Sequence, residues 1–343
     1  MPFVSMLGND GGVGVKIWTA EDARLLAGKR VLITGATGFI GSHLLRKLIN
    51  LGCRVVMLDQ PSANPWRIAD ISSKLENVPC DLRRLDETIQ AMQSRLSGVE
   101  IIYHLAAAGV DQSNQDAALI LQTNVVGTLR LLQLAQRLNI ERFIYCGSCF
   151  EYGAGERLSE DSLPMPNSEY GASKSAAWFL VNAFHRRYGL PVVSLRPFNV
   201  YGPMEAGHRL IPHAIMRALN GLEIGLTGGE QKRDFLFIAD LIEAFLSAAV
   251  TDTVGGTFNV CTGLATSVKG VVTTIVELTG QRVQLRFGDL PYRDIEVPVL
   301  SGDPKKAREK LGWIAQTSLR DGLSKTIAWF RDARSKYPTA YVF

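Results

Sequence analysis

From Arg30 onward, short apolar runs alternate with longer stretches in which apolar residues recur every three or four positions. Val31-Leu32-Ile33-Thr34 places four β-favouring residues in a row and runs into glycines at 35, 38 and 41. Behind them Ile40, Leu44, Leu45, Leu48 and Ile49 keep helical spacing as far as Gly52. A buried strand, a tight turn and an amphipathic helix are predicted. A second apolar run, Arg54-Val55-Val56-Met57-Leu58, ends in Asp59. After a loop with Pro61, Asn64 and Pro65 comes a segment closing on Val78-Pro79-Cys80-Asp81-Leu82. An amphipathic stretch from Leu85 to Leu96 leads to the run from Ile101 to Ala107. A long helix from about Ala117 to Leu138 and a buried strand from Arg142 to Ser148 follow. Ala20 to Leu26 reads as a short helix feeding the first strand. This alternation predicts an α/β fold, a doubly wound parallel sheet with right-handed crossovers.

The pattern changes after Val192-Val193-Ser194-Leu195-Arg196, which runs into Pro197-Phe198-Asn199-Val200-Tyr201-Gly202-Pro203. Elements beyond it are shorter and interrupted by Gly-Gly and Pro. The expected division is an N-terminal extension over 1–27, loose over 1–18, and a dinucleotide-binding domain over 28–202. A segment of about 233–262 returns to that domain, and 203–343 mainly form a smaller α/β substrate domain. Ligands of open α/β sheets bind at the carboxyl ends of the strands. The loops after Ser148 and Arg196, together with the 229–240 segment, should therefore enclose the site.

A chain of 343 residues, 46% hydrophobic and 20% charged, describes an ordinary globular protein able to bury a large core. Its net charge of +4 is scattered, without the basic clusters and interleaved aromatics of a nucleic-acid binder. No apolar run reads as a membrane span, and the first 27 residues hold no continuous apolar core of a signal peptide. The five cysteines are odd in number and sit mostly in apolar runs, as free thiols do in a reducing compartment, which points to the cytoplasm. Cys146 and Cys149 have C-x-x-C spacing but no second pair, and the five histidines form no visible ligand set, so no metal is expected.

The glycine-rich turn places backbone N–H groups and the positive end of a helix dipole where a pyrophosphate can sit. Gly35 makes the turn, Gly38 lets the phosphates approach, and Gly41 lets helix and strand pack closely. Asp59, at the end of the second strand, suits an adenosine ribose and repels a 2′-phosphate, which favours NAD over NADP. This is the arrangement of a Rossmann domain. Tyr170 and Lys174 lie one helical turn apart, and a nearby ammonium is expected to lower the phenol pKa. Ser148, at a strand's carboxyl end, can donate to a carbonyl or alkoxide oxygen. Each of these signals is common alone; together they describe a proton-transfer site beside a cofactor.

In sequence, Gly35-x-x-Gly38-x-x-Gly41, His104-Leu-Ala-Ala107, Thr123-Asn124-x-x-Gly127-Thr128, Ser148…Tyr152-Gly153 and Tyr170-x-x-x-Lys174 resemble the extended short-chain dehydrogenases/reductases. The likeness is to the nucleotide-sugar epimerase/dehydratase branch. It continues through Arg196-Pro-Phe-Asn199-Val-Tyr-Gly-Pro203, Gly229-x-x-x-Arg233-Asp234-Phe235 and Leu311-Gly312-Trp313, spanning about residues 28–330. The resemblance implies Tyr170 as general acid/base, Lys174 as its electrostatic partner and ribose anchor, and Ser148 on the sugar oxygen. It places Gly35, Gly38, Phe39, Ile40, Gly41, Asp59, Leu105, Ala106, Ala107, Asn124 and Pro197 along NAD, with Asp81 and Leu82 beside adenine. Asn199, Arg233 and Arg293 would hold the substrate's diphosphate or nucleotide, a task suited to guanidinium forks. A homodimer through the helices near 117–138 and 172–188 is also implied.

Departures from the pattern narrow the reaction. The family's 4,6-dehydratases carry an Asp-Glu pair after the catalytic Ser/Thr, where this chain has Cys149-Phe150. Cys149 is also one place away from the cysteine of the 3,5-epimerising members, so it is expected to pack. That leaves hydride and proton transfer at C4 of a nucleoside-diphosphate hexose, by a 4-epimerase or a 4-keto-sugar reductase. An extended reductase of a non-sugar carbonyl compound would leave Arg233 and Arg293 without a partner in the substrate. A non-catalytic NAD-binding sensor would have no use for Ser148, Tyr170 and Lys174.

Overall fold

The computed structural model describes residues 18–85, 94–110, 116–292, 296–336 and 341. The expected extension over 1–17, the middle of the Leu85–Leu96 stretch and Arg293 lie outside them.

The strands in chain order are β1 (Arg30–Thr34), β2 (Arg54–Leu58), β3 (Glu76–Asn77), β4 (Ile101–His104), β5 (Arg142–Cys146), β6 (Gly155–Leu158) and β7 (Val192–Pro197). They continue as β8 (Asn199–Tyr201), β9 (Ile224–Leu226), β10 (Lys232–Phe237), β11 (Gly256–Val260), β12 (Ala265–Ser267), β13 (Leu285–Phe287) and β14 (Val299–Gly302). Seven of them pair all-parallel in the order β11-β7-β5-β4-β1-β2-β3. The order reverses between β1 and β4, which is the switch point where open α/β sheets form a crevice.

Side-chain alternation explains why this sheet needs helices on both faces. Val31 and Ile33 of β1, Val55 and Met57 of β2 and Ile144 of β5 point to one layer, with Leu44, Leu45 and Leu48 of helix Phe39–Asn50. Leu32, Val56, Leu58, Ile102 and Phe143 point to the other, against Leu131, Leu132 and Ala135 of the first long helix and Ala177 and Val181 of the second. The apolar strand runs are continuous because both faces are buried. Ala117–Leu138 is long and apolar enough, by length and composition, to cross a membrane, contrary to the reading of the sequence. Its Leu131, Leu132, Leu134 and Ala135 are instead buried in this layer. A π-helical turn, Gln122–Val126, interrupts it where Asn124 is buried.

The second half builds a smaller mixed sheet, β12-β10-β14-β6, with β8 parallel to β10, and a two-stranded β9–β13 pair. In the expected return segment, β11 closes one edge of the large sheet, and helix Ile238–Val250 packs under it. Trp313 is buried and its indole N–H donates to the Asp240 carbonyl, 2.8 Å away.

Candidate active site

The carboxyl ends of β1, β4, β5 and β7 meet at one place. The turn after β1 packs so closely on the next helix that a Cβ on Gly41 would lie 2.0 Å from the Gly35 carbonyl oxygen. At Gly38 a Cβ would meet only that oxygen, at 3.2 Å, so this side of the turn has room for a ligand. Gly38 is the N-cap of helix Phe39–Asn50 and offers no side-chain cap, leaving the first-turn N–H groups for an anion. These features fit a dinucleotide pyrophosphate.

Asp59 is buried at the end of β2, as its position predicts, but its carboxylate faces the turn itself. Oδ1 accepts from Gly35 N–H and Ala36 N–H (3.1 Å), while Oδ2 accepts from Thr37 N–H (2.8 Å) and the Thr37 hydroxyl (2.8 Å). Four donors use the carboxylate's acceptor sites. A ribose hydroxyl must therefore share or displace one, and the Thr37 hydroxyl can rotate away. Asn124, expected along the cofactor, is spent on architecture: its amide bonds Ala108 N–H (2.8 Å), Ala108 carbonyl (3.0 Å) and Ser173 Oγ (2.9 Å). It thereby ties the Leu105–Ala107 loop to helix Glu169–Tyr188. Ala106 in that loop donates to Thr34 Oγ. Asp81 is chelated by Arg83, with Nε 2.9 Å from either oxygen, and Leu82 is buried.

Helix Glu169–Tyr188 starts at Ser168, whose hydroxyl accepts Gly171 N–H, and its first turn lies hard against the Ser148 loop. A Cβ at Gly171 would sit 2.4 Å from the Phe150 carbonyl oxygen, so only glycine lets the two come together. This brings the Tyr170 phenol close enough to the Ser148 hydroxyl for that hydroxyl to favour its ionised form. Four residues on, Lys174 is buried and its Nζ donates to the Cys146 carbonyl at 2.7 Å, 6.0 Å from the Tyr170 ring centre. Ser148, Tyr170 and Lys174 thus converge as expected.

The expected direction of the tyrosine's titration is corrected. Burial pushes the Tyr170 phenol above its ordinary value, with the Ser148 hydrogen bond pulling the other way, and burial pushes Lys174 down. The ammonium is engaged by a carbonyl rather than by the phenol oxygen, so spacing along a helix overestimated its influence.

Cys149 and Phe150 occupy the two positions after Ser148. Cys149 is buried beside Phe198, Cys261 and Leu300, and burial pushes its thiol up to about 12. It packs, as expected. Phe150 sets its ring at 73° to that of Tyr170, with centroids 6.1 Å apart.

On the second sheet, Asn199 begins β8 and Arg233 lies on β10 beside it. Arg233 pairs with Glu296 and donates to the Val297 carbonyl at 2.9 Å. Glu296 and Val297 border a cleft of about 310 Å³ with Glu230, Gln231, Tyr292 and Pro298. A substrate diphosphate would compete with the Glu296 carboxylate for this guanidinium. Pro197 ends β7 at the floor between the two sheets.

Two residues escaped the sequence reading. Glu151 and Arg196 form a salt bridge of 2.7 Å with neither side chain exposed to solvent, directly behind Ser148. The available signal was one acid and one base in otherwise apolar segments at the ends of neighbouring strands. His104 bridges the Thr34 and Thr128 hydroxyls, both at 2.8 Å.

The sequence profile of the NAD dependent epimerase/dehydratase family matches residues 31–261. UDP-glucose 4-epimerase of Mycolicibacterium smegmatis is 32% identical over 88% of this chain and 99% of its own length. The crystal structure of UDP-glucose 4-epimerase from Thermotoga maritima with UDP-glucose superposes with a TM-score of 0.82 at 30% identity, covering 89% of this chain and 99% of that one. A dTDP-glucose 4,6-dehydratase from Streptomyces venezuelae, with NAD bound, gives 0.81 at 29% identity, covering 91% and 100%.

Proposed function

Because the chain belongs to the NAD-dependent epimerase/dehydratase family, we propose that it is a 4-epimerase of a nucleoside-diphosphate hexose. The observation that carries this reading is the pairing of a complete Ser148–Tyr170–Lys174 site with Cys149 and Phe150 at the two positions after Ser148. A packed thiol and a phenyl ring offer no acid and base for eliminating water, so chemistry is confined to C4 and its oxygen. Both 4-epimerases and 4,6-dehydratases are among the relatives, and Cys149-Phe150 in place of the Asp-Glu pair that the resemblance implies for a dehydratase favours the former.

NAD, when bound, accepts hydride from C4 and returns it. The glycine turn and the first-turn N–H groups of helix Phe39–Asn50 would hold its pyrophosphate, Asp59 and Thr37 its adenosine ribose, and Lys174 and Pro197 the nicotinamide end. Ser148 donates to O4. Tyr170 exchanges the O4 proton, and Lys174 keeps one positive charge beneath the pair. Because burial favours the protonated phenol, Tyr170 is poised to return the proton to a 4-keto oxygen; taking it up relies on Ser148 and Lys174 stabilising the phenolate. The second sheet would hold the nucleotide diphosphate through Asn199 and Arg233; the resemblance adds Arg293, which lies outside the described residues.

Leu121, Val126 and Phe179 leave 47%, 38% and 58% of their surfaces exposed on the two long helices. A second copy covering them would complete a four-helix interface, giving a homodimer. Five buried free cysteines suit a reducing cytoplasm.

The test is to release cofactor from purified protein by denaturation and to incubate the native protein with UDP-glucose, following product by NMR. Near-stoichiometric NAD⁺ and a C4-inverted product without consumption of added cofactor are expected. Tyr170→Phe should retain NAD and lose at least about 100-fold in turnover. Oxidation of added NADH or NADPH only with a 4-keto sugar would replace the epimerase by a ketoreductase.

A further inference from the structure

The salt bridge behind Ser148 is not used by the chemistry just described, yet its placement bears on it. Glu151 follows Ser148 by three residues, closing a short 3₁₀ turn of Cys149–Glu151. Its Oε1 accepts the Ser148 backbone N–H at 2.8 Å, and its Oε2 accepts Arg196 Nε–H at 2.7 Å. Both carboxylate oxygens thus face donors, an arrangement that suits the ionised acid although burial pushes it toward protonation. Arg196 is clamped between the Tyr152 and Trp178 rings, 4.7 and 4.5 Å from its guanidinium carbon. It donates to the Tyr152 hydroxyl at 2.9 Å, which in turn donates to Asn259 Oδ1 at 2.8 Å. Asn259 is held by Glu160 and the Leu158 carbonyl. The network crosslinks β7 and β11 to the segment that follows β5.

The consequence falls on the Ser148 hydroxyl. One side of its oxygen accepts Phe150 N–H at 3.2 Å in the same turn. With one of its two lone pairs taken and the backbone pinned by Glu151, the hydroxyl is held where its single proton can turn from Tyr170 to the substrate oxygen. We propose that Glu151, braced by Arg196, is a positioning residue that locks Ser148 as a hydrogen-bond donor to the reacting oxygen. This rests on the C4 reading for its substrate, but the anchor itself is a property of the chain alone. A glutamate is needed because a neutral side chain cannot both accept from Ser148 and neutralise a guanidinium that has no exposed surface.

The experiment uses the full chain with Glu151→Gln, Ser148→Ala and the double variant. Without substrate, amide hydrogen exchange over residues 147–153 should be about tenfold faster in Glu151→Gln than in the wild type. With substrate, Glu151→Gln should lose about 100-fold in kcat, the cost of a misplaced catalytic group. Its KM and bound NAD should stay within about threefold of wild type, since no substrate or cofactor contact is lost. The double variant should be no slower than Ser148→Ala within a factor of about two, because Glu151 acts through Ser148. A kcat near wild type, or losses that multiply in the double variant, overturns the proposal. If Glu151→Gln does not fold, Glu151→Gln/Arg196→Met removes both buried charges. A folded double variant that stays slow supports the anchor; one that regains full turnover refutes it. If the wild type turns over no nucleotide sugar, the function fails, while unchanged exchange in Glu151→Gln separately refutes the anchor.

Discussion

Replacing Asp59 by Asn probes the turn that organises the cofactor site. The amide keeps one acceptor oxygen, which can serve Gly35 and Ala36 N–H. Its NH₂ then faces Thr37 N–H and the Thr37 hydroxyl, two donors that accept nothing in return without the hydroxyl rotating. A hydrogen bond to a charged acceptor contributes about 1.5–3 kcal/mol, and leaving a buried donor unpaired costs about 1–3 kcal/mol. Asp59 is 7% exposed, but Thr37 is half-buried and water can reach it in part. The net loss expected for Asp59→Asn without cofactor is therefore about 2 kcal/mol. Thr37→Val, which removes the hydroxyl and spares the backbone bond, should lose about 1 kcal/mol. Urea unfolding of cofactor-free protein at pH 7 measures both, with unchanged m-values as the check that only the folded state is affected. Asp59→Asn should also weaken NAD more than NADP, because the repulsion of a 2′-phosphate goes with the charge. A stability loss below about 0.5 kcal/mol would refute the reasoning: the carboxylate would then be a ribose ligand that merely rests on the turn.

Three further outcomes are expected. Gly41→Ala forces a methyl to within 2.0 Å of a backbone oxygen that has no room to retreat, so it should cost about 3 kcal/mol or more and be seen as a collapse of the thermal transition. Burial holds His104 neutral with a pKa lowered to about 3, so the unfolded chain binds the extra proton and stability falls as pH drops below about 6.5. From pH 6.5 to 5 this residue accounts for about 2 kcal/mol, read as the difference in urea unfolding between wild type and His104→Gln. The comparison is needed because His43, lowered to about 4, adds the same sign, while Glu205, raised to about 8, gains stability over that window. Phe179→Glu should convert the expected dimer to monomer in analytical ultracentrifugation with turnover largely kept; an unchanged mass moves the interface elsewhere.

The large sheet was legible because its information is local. Continuous apolar runs such as Val31–Thr34, buried on both faces, and 3.6-residue stripes such as Leu44, Leu45 and Leu48, admit one arrangement each. The glycine turn after β1 was legible for the same reason, since close helix–strand approach demands glycine at defined spacing. That Ser148, Tyr170 and Lys174 lie near one another was legible because parallel strands deliver their following loops to one edge. What the spacing of Tyr170 and Lys174 could not reveal is the direction of the tyrosine's titration, which depends on how deeply other elements bury the phenol. Nor could it show that Asp59 grips its own turn, that Asn124 serves a loop, or that Arg233 pairs with Glu296 from a distant segment. The Glu151–Arg196 bridge joins residues 45 positions apart, and nothing in either segment names its partner. Local sequence dictated the elements and the parallel α/β class, because periodicity and backbone sterics act over a few residues. Only the folded chain decided which polar groups pair, because desolvation makes each buried charge take the partner that long-range packing sets beside it.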